Sequence, residues 1–120
     1  MLLSNKETDL GHVLENIVYL ELLRRNPKSI TVGKDEKIAI GKLDTKEVDF
    51  VVQNKSETIY YQVAANLTDK NTLERELAPL NAIKDHYPKF IITLDDYTSG
   101  NTYNGIKIIN VIDFLRKETF

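Results

Sequence analysis

Apolar and polar positions along this chain fall into two periods. Between positions 9 and 25, Leu10, Val13, Leu14, Ile17, Val18 and Leu22 recur every three or four residues. That spacing predicts an amphipathic helix with one apolar stripe. Asp9 suits its N-cap, and Asn26-Pro27 stops it, because the residue before a proline is driven out of helical backbone. Residues 1–8 read as a frayed lead-in. Farther on the period shortens to two. Lys46-Glu47-Val48-Asp49-Phe50-Val51-Val52 and Thr58-Ile59-Tyr60-Tyr61-Gln62-Val63-Ala64-Ala65 alternate as strands and are rich in β-branched and aromatic residues. The polar Asn54-Lys55-Ser56-Glu57 between them reads as a turn. A hairpin symmetric about that turn sets Gln53 opposite Thr58 and Asp49 opposite Gln62. Both of the latter side chains then emerge on one face, with Cβ atoms about 5 Å apart.

The remaining elements follow from the same reading. Short strands are predicted at 29–32 and 37–40, with Gly33-Lys34-Asp35-Glu36 turning one into the other. A second helix should start near Asn71 with Glu74 as capping-box partner, and Pro79 should kink or break it. Phe90-Ile91-Ile92-Thr93-Leu94 suits a buried central strand. Residues 95–104 read as a loop, 106–109 as a last strand and 111–117 as a closing helix. The order α-β-β-β-β-α-β-β-α predicts an α/β fold with a mixed sheet flanked by helices.

Composition narrows the class. The 120 residues suit a single domain spanning 1–120, and 42% hydrophobic with 28% charged residues is an ordinary globular balance. There is no cysteine, so no disulfide framework and no thiolate metal site is available. No apolar run approaches a membrane span and Met1-Leu2-Leu3-Ser4 does not read as a signal peptide, so the expected location is the cytoplasm, away from membranes. The net charge of −2 argues against a whole-surface affinity for nucleic acid. Eight of the sixteen basic residues nevertheless fall between positions 24 and 55, where only five acidic residues share the stretch. That supports either a local basic face for DNA or solvated lysines that guard sheet edges.

A helix bearing Glu15, a strand bearing Asp49 and a strand bearing Gln62 form the layout of the PD-(D/E)XK nuclease superfamily, which this chain resembles. It looks more specifically like the nuclease-like domain at the C-terminal end of many prokaryotic AAA-type ATPases. The likeness rests on the segments around Glu15 and Asp49, Tyr61-Gln62-Val63, Thr72-Leu73-Glu74-Arg75-Glu76-Leu77-Ala78-Pro79-Leu80, Tyr87-Pro88-Lys89, Gly105-Ile106 and Asn110-Val111-Ile112-Asp113-Phe114-Leu115. The resemblance implies a restriction-endonuclease-like α-β-β-β-α-β core and an ATPase domain upstream in a longer protein. It also implies a catalytic set of Glu15, Asp49 and Gln62 that would hold Mg²⁺ or Mn²⁺, hard ions suited to oxygen ligands.

The same chain departs from the pattern at one position. The nuclease lysine, two residues after the Glu/Gln, is replaced by Ala64. That lysine meets charge developing on the phosphate, and loss of a comparable group costs on the order of a hundredfold or more in rate. Lys46, Lys42 and Arg75 are the candidates to replace it. Gln62 brings an oxygen but no charge, so metal binding should be weak. The bland alternatives are a helix-surface acid at Glu15 and a structurally held Asp49. His12 and His86 lack zinc-pair spacing, and Gly33-Lys34 and Gly41-Lys42 lack the rest of a P-loop, so no nucleotide site is expected. Three functions follow: a nuclease-fold module, weak or inactive in catalysis, that docks nucleic acid or a partner; a metal-dependent DNA nuclease; or a homodimerisation domain using a sheet edge or the Tyr60/Tyr61 region.

Overall fold

The structure is a computed structural model that describes residues 2–25, 30–32, 39–40, 43–44, 48–53 and 57–116, with side chains described for 9–25, 48–53 and 57–116. The elements run α1 (Leu2–Arg25), β1 (Ile30–Val32), β2 (Ala39–Ile40), β3 (Leu43–Asp44), β4 (Phe50–Gln53), β5 (Thr58–Ala64), α2 (Lys70–Asn81), β6 (Lys89–Thr93), β7 (Thr102–Tyr103), β8 (Ile106–Asn110) and α3 (Val111–Arg116). Six strands form one sheet in the order β1-β4-β5-β6-β8-β7. The pairs β1/β4, β4/β5 and β7/β8 are antiparallel, whereas β5/β6 and β6/β8 are parallel. The predicted α/β architecture with a mixed sheet and flanking helices is therefore what the chain adopts.

Two layers cover the sheet. On one face, Leu14, Val18 and Leu22 of α1 and Val111 and Phe114 of α3 pack with Phe50, Val52, Tyr61, Val63, Phe90 and Ile92. On the other, Leu77 and Leu80 of α2 pack with Val51, Tyr60, Ala64, Ile91, Ile106 and Ile108. Alternation along each strand divides the residues in this way, and β5 and β6, paired on both sides, are apolar on both faces. Each fully buried aliphatic side chain contributes about 1.5–3 kcal/mol. Arg25 ties the α1 and α3 layer together: it donates to the Phe114 carbonyl at 2.7 Å and its guanidinium lies 4.7 Å from that ring's centroid.

Several local expectations change. α1 begins at Leu2, seven residues before its predicted start at Asp9. Leu10, Val13 and Ile17, predicted to share the core stripe, are exposed, because the helix seats only its Leu14, Val18 and Leu22 line on the sheet. Among the described residues, β1 joins the edge of the main sheet against β4 and β2 pairs with β3 in a separate ribbon, while the turn predicted at 33–36 lies outside the described residues. Asp69, not Asn71, caps α2, its carboxylate accepting the Asn71 N–H at 2.8 Å. Pro79 ends α2 more gently than expected. It falls in the last turn, and the helix continues for two residues to Asn81. The predicted 95–104 loop contains β7, which folds onto β8 through Asn104 (φ 52°) and Gly105 (φ 84°). An Asn-Gly pair populates that left-handed turn readily, and it is the signal that gives this hairpin away.

Candidate functional site

β4 and β5 pair with Gln53 opposite Thr58 and Phe50 opposite Tyr61. Extending that register by one residue sets Asp49, just ahead of β4, opposite Gln62. The predicted register therefore holds. Both residues are almost fully buried, Asp49 at 5% exposure and Gln62 at 3%. What they do there differs from a ligand pair. The Asp49 backbone N–H donates to Gln62 Oε1 at 2.7 Å, and the Val63 N–H donates to Asp49 Oδ2 at 2.9 Å. Each side chain thus satisfies a backbone donor of the other strand at the point where the ladder ends. A buried donor left without a partner costs about 1–3 kcal/mol, so the two bonds hold the strand ends together.

The third side chain in contact comes from α2. Gln62 Nε2 donates to Glu76 Oε1 at 3.4 Å, and Glu76 is half-buried. Sequence reasoning did not select Glu76, because its proximity depends on α2 lying over the Gln62 face, which strand periodicity does not reveal. Glu15, which was expected to approach that face, is half-buried on α1. α1 packs on the opposite layer, with Tyr61 and Val63, whereas Gln62 lies between Tyr60 and Ala64 on the α2 side. Among the described residues no group of three or more His, Cys, Asp or Glu side chains is arranged to hold a metal ion. Gln62 Oε1 and Asp49 Oδ2 are both engaged by backbone N–H donors in this arrangement. Lys46, Lys42 and most of the basic stretch lie outside the described residues. Arg24 and Arg25 of that stretch both pair with Glu21, at 2.7 and 2.6 Å.

Next to this pair, a cleft of about 460 Å³ opens at the C-terminal end of β5. Gly11 of α1 and Ala64, Asn66, Thr72, Arg75 and Glu76 line it. Arg75 is exposed. The position that lacks a lysine and the arginine considered as its replacement therefore face one cavity.

A second polar cluster holds the start of β6. Lys89, 9% exposed, donates to Asp85 Oδ1 at 2.7 Å and to the Asp85 and Tyr87 carbonyls at 3.1 and 3.0 Å. Tyr60 Oη donates to Asp85 Oδ2 at 2.7 Å. Burial, the largest single influence, raises the Asp85 carboxyl, but the Lys89, Tyr60 and Tyr87 donors together outweigh it and leave it below its ordinary value. Burial and the neighbouring Asp85 carboxylate push the Tyr60 phenol well up. Every ammonium proton of Lys89 has an acceptor here, which marks a structural anchor for the β5/β6 crossing and not a reactive lysine.

Comparison with known proteins adds one relative. The chain is 37% identical over 113 residues, 94% of its length, to an uncharacterised protein of Haemophilus influenzae. It spans about a quarter of that relative's length. No family model matches the chain, and no solved structure matches it. No helix among the described residues is long and apolar enough to cross a membrane.

Proposed function

We propose that this domain is a nuclease-fold accessory module of a larger ATPase, docking nucleic acid or a protein partner with little or no catalysis of its own. The observation that carries this reading is the reciprocal pair of hydrogen bonds between Asp49 and Gln62. The two residues that resemble metal ligands serve the backbone instead, and Ala64 provides no cation beside them. The run α1-β1-β4-β5-α2-β6 follows the α-β-β-β-α-β order that the resemblance implies, with α2 as the crossover between parallel β5 and β6. That order supports a restriction-endonuclease-like scaffold. A relative about four times as long supports the view that the domain works beside other domains; the ATPase is inferred from the resemblance alone.

The competing reading, a metal-dependent DNA nuclease in the same cytoplasmic setting, draws on one feature: Arg75 lines the cleft at Ala64, next to the half-buried Glu76. An arginine there meets phosphate charge as a lysine would. Incubation of the chain with supercoiled plasmid and with single-stranded DNA in Mg²⁺ or Mn²⁺ separates the two. The docking module leaves both substrates intact. Metal-dependent cleavage that Asp49→Asn abolishes and Arg75→Ala reduces a hundredfold would instead establish the nuclease.

A further inference from the structure

The turn between β7 and β8 carries a reactive pair of residues. Of the chain's asparagines, Asn104 alone precedes a glycine. Tyr103 pairs with Ile106, so Asn104 and Gly105 are the whole connection between the two strands. Both are exposed, and both have left-handed backbone, with φ of 52° and 84°. Little holds them in place. Among the described residues no acceptor takes the Gly105 N–H. Asn104 Nδ2 reaches Asn81 Oδ1 only at 3.5 Å, the limit of a hydrogen bond. β7 itself is two residues long and forms the edge of the sheet.

We propose that Asn104 is a site of spontaneous deamidation, gated by opening of the β7/β8 turn, and that its isoaspartate product releases β7 from the sheet. The Gly105 nitrogen attacks Asn104 Cγ and forms a new C–N bond. The side-chain amide C–N bond breaks, the amide takes up the proton that the Gly105 nitrogen gives up, and ammonia leaves. A cyclic imide remains. Water then adds to one of its two carbonyls, without change of oxidation state. Opening at one restores the ordinary main chain with an aspartate; opening at the other routes the main chain through Cβ and Cγ as isoaspartate. Glycine favours the attack because it puts no Cβ beside the nitrogen and leaves the backbone free to rotate. Exposed Asn101 in the same loop is followed by the stiffer, β-branched Thr102. The folded turn opposes the reaction. Ring closure needs the Gly105 nitrogen on the same side as the Asn104 Cβ, whereas left-handed backbone, with ψ about +30 to +60°, holds it on the far side. The rate therefore follows the population in which the turn has opened, and a short edge strand opens at low cost. The two products differ in effect. Asp-Gly suits the same turn as Asn-Gly. Isoaspartate puts one more atom into the main chain, so the two-residue connection no longer holds Tyr103 against Ile106.

The intact chain, kept in mildly alkaline buffer at physiological temperature and digested with trypsin at intervals, tests this. Mass spectrometry of fragment 90–107 reads Asn101 and Asn104 in one peptide. Asn104 should react first among the chain's asparagines, about tenfold ahead of Asn101. The same fragment, released before incubation, has no turn to open and should react about tenfold faster than the folded chain. Hydrogen exchange then reads the hairpin at Ile108, whose N–H donates to the Asn101 carbonyl at 3.0 Å. Chains with isoaspartate at 104 should lose that protection, and Asn104→Asp should keep it. An Asn104 that stays intact in the folded chain, or trails another asparagine, overturns the site. Equal rates in the fragment and the folded chain overturn the gating. Ile108 protection that survives isoaspartate overturns the release of β7. None of these results depends on whether the domain docks or cleaves nucleic acid.

Discussion

Polar side chains at and near the core answer to specific backbone or charged partners, and three of them, Asp85, Asp95 and Tyr61, make stability depend on pH. The Asp85 and Asp95 carboxyls both lie below their ordinary values: burial acts to raise them, but donors from Lys89 and Tyr60 on the first, and from Thr98 and Leu67 on the second, prevail. A carboxyl depressed in the folded state stabilises it above the unfolded value, about 3.9, and that contribution is lost as pH falls through the folded value. The Tyr61 phenol moves the other way. Burial pushes it up to about 12, with Arg25 opposing and Glu57 adding. A raised phenol stabilises the fold below the unfolded value of about 10 and ceases to do so as pH climbs toward 12. Urea midpoints should therefore form a plateau between about pH 5 and pH 9 and fall on both sides. Asp85→Asn should lower the plateau and flatten the acid limb, and an unchanged acid limb would show that Asp85 titrates normally. The Asp49 and Gln62 register was legible in the sequence because the turn between their strands is symmetric and strand side chains alternate. The use of each side chain by the other strand's N–H was not, since it depends on where the ladder stops.

Elements were legible where a period was long and pure. The α1 stripe, the β4/β5 hairpin and the apolar β6 run needed no tertiary information. Short elements were less so: β2 falls inside the strand predicted at 37–40, but the two-residue β3 was not predicted, and β7 is recognised only through the Asn104-Gly105 pair that follows it. α1 itself shows the limit of the method, because two apolar lines on one helix look like a single broad stripe until a sheet chooses between them. The β7/β8 turn offers a test at this level. Gly105 has φ +84°, and an added Cβ would meet no atom within 4 Å. Gly105→Ala therefore strains the backbone without crowding it, and should cost about 1–2 kcal/mol in urea denaturation. A neutral result would mean that the turn relaxes to another type.

The molecule as a whole places its chemistry unevenly. The α2 side holds the Gln62 and Glu76 contact and the cleft with Arg75; α1 and α3 carry six of the exposed large apolar residues, and Leu94 and Tyr97 after β6 carry two more. Glu15 lies on α1, whose Leu14, Val18 and Leu22 pack on the second side, while Gly11 one turn before it lines the cleft with Ala64 and Glu76. The account turns on whether Asp49 serves the fold or a metal ion. Thermal unfolding of wild type and Asp49→Ala, each with and without millimolar Mn²⁺, decides between these directly. A structural Asp49 predicts that the variant loses the acceptor for the Val63 N–H and is less stable by about 1–3 kcal/mol, equally with and without Mn²⁺. A variant as stable as wild type without metal, together with Mn²⁺ that stabilises wild type but not the variant, would contradict it.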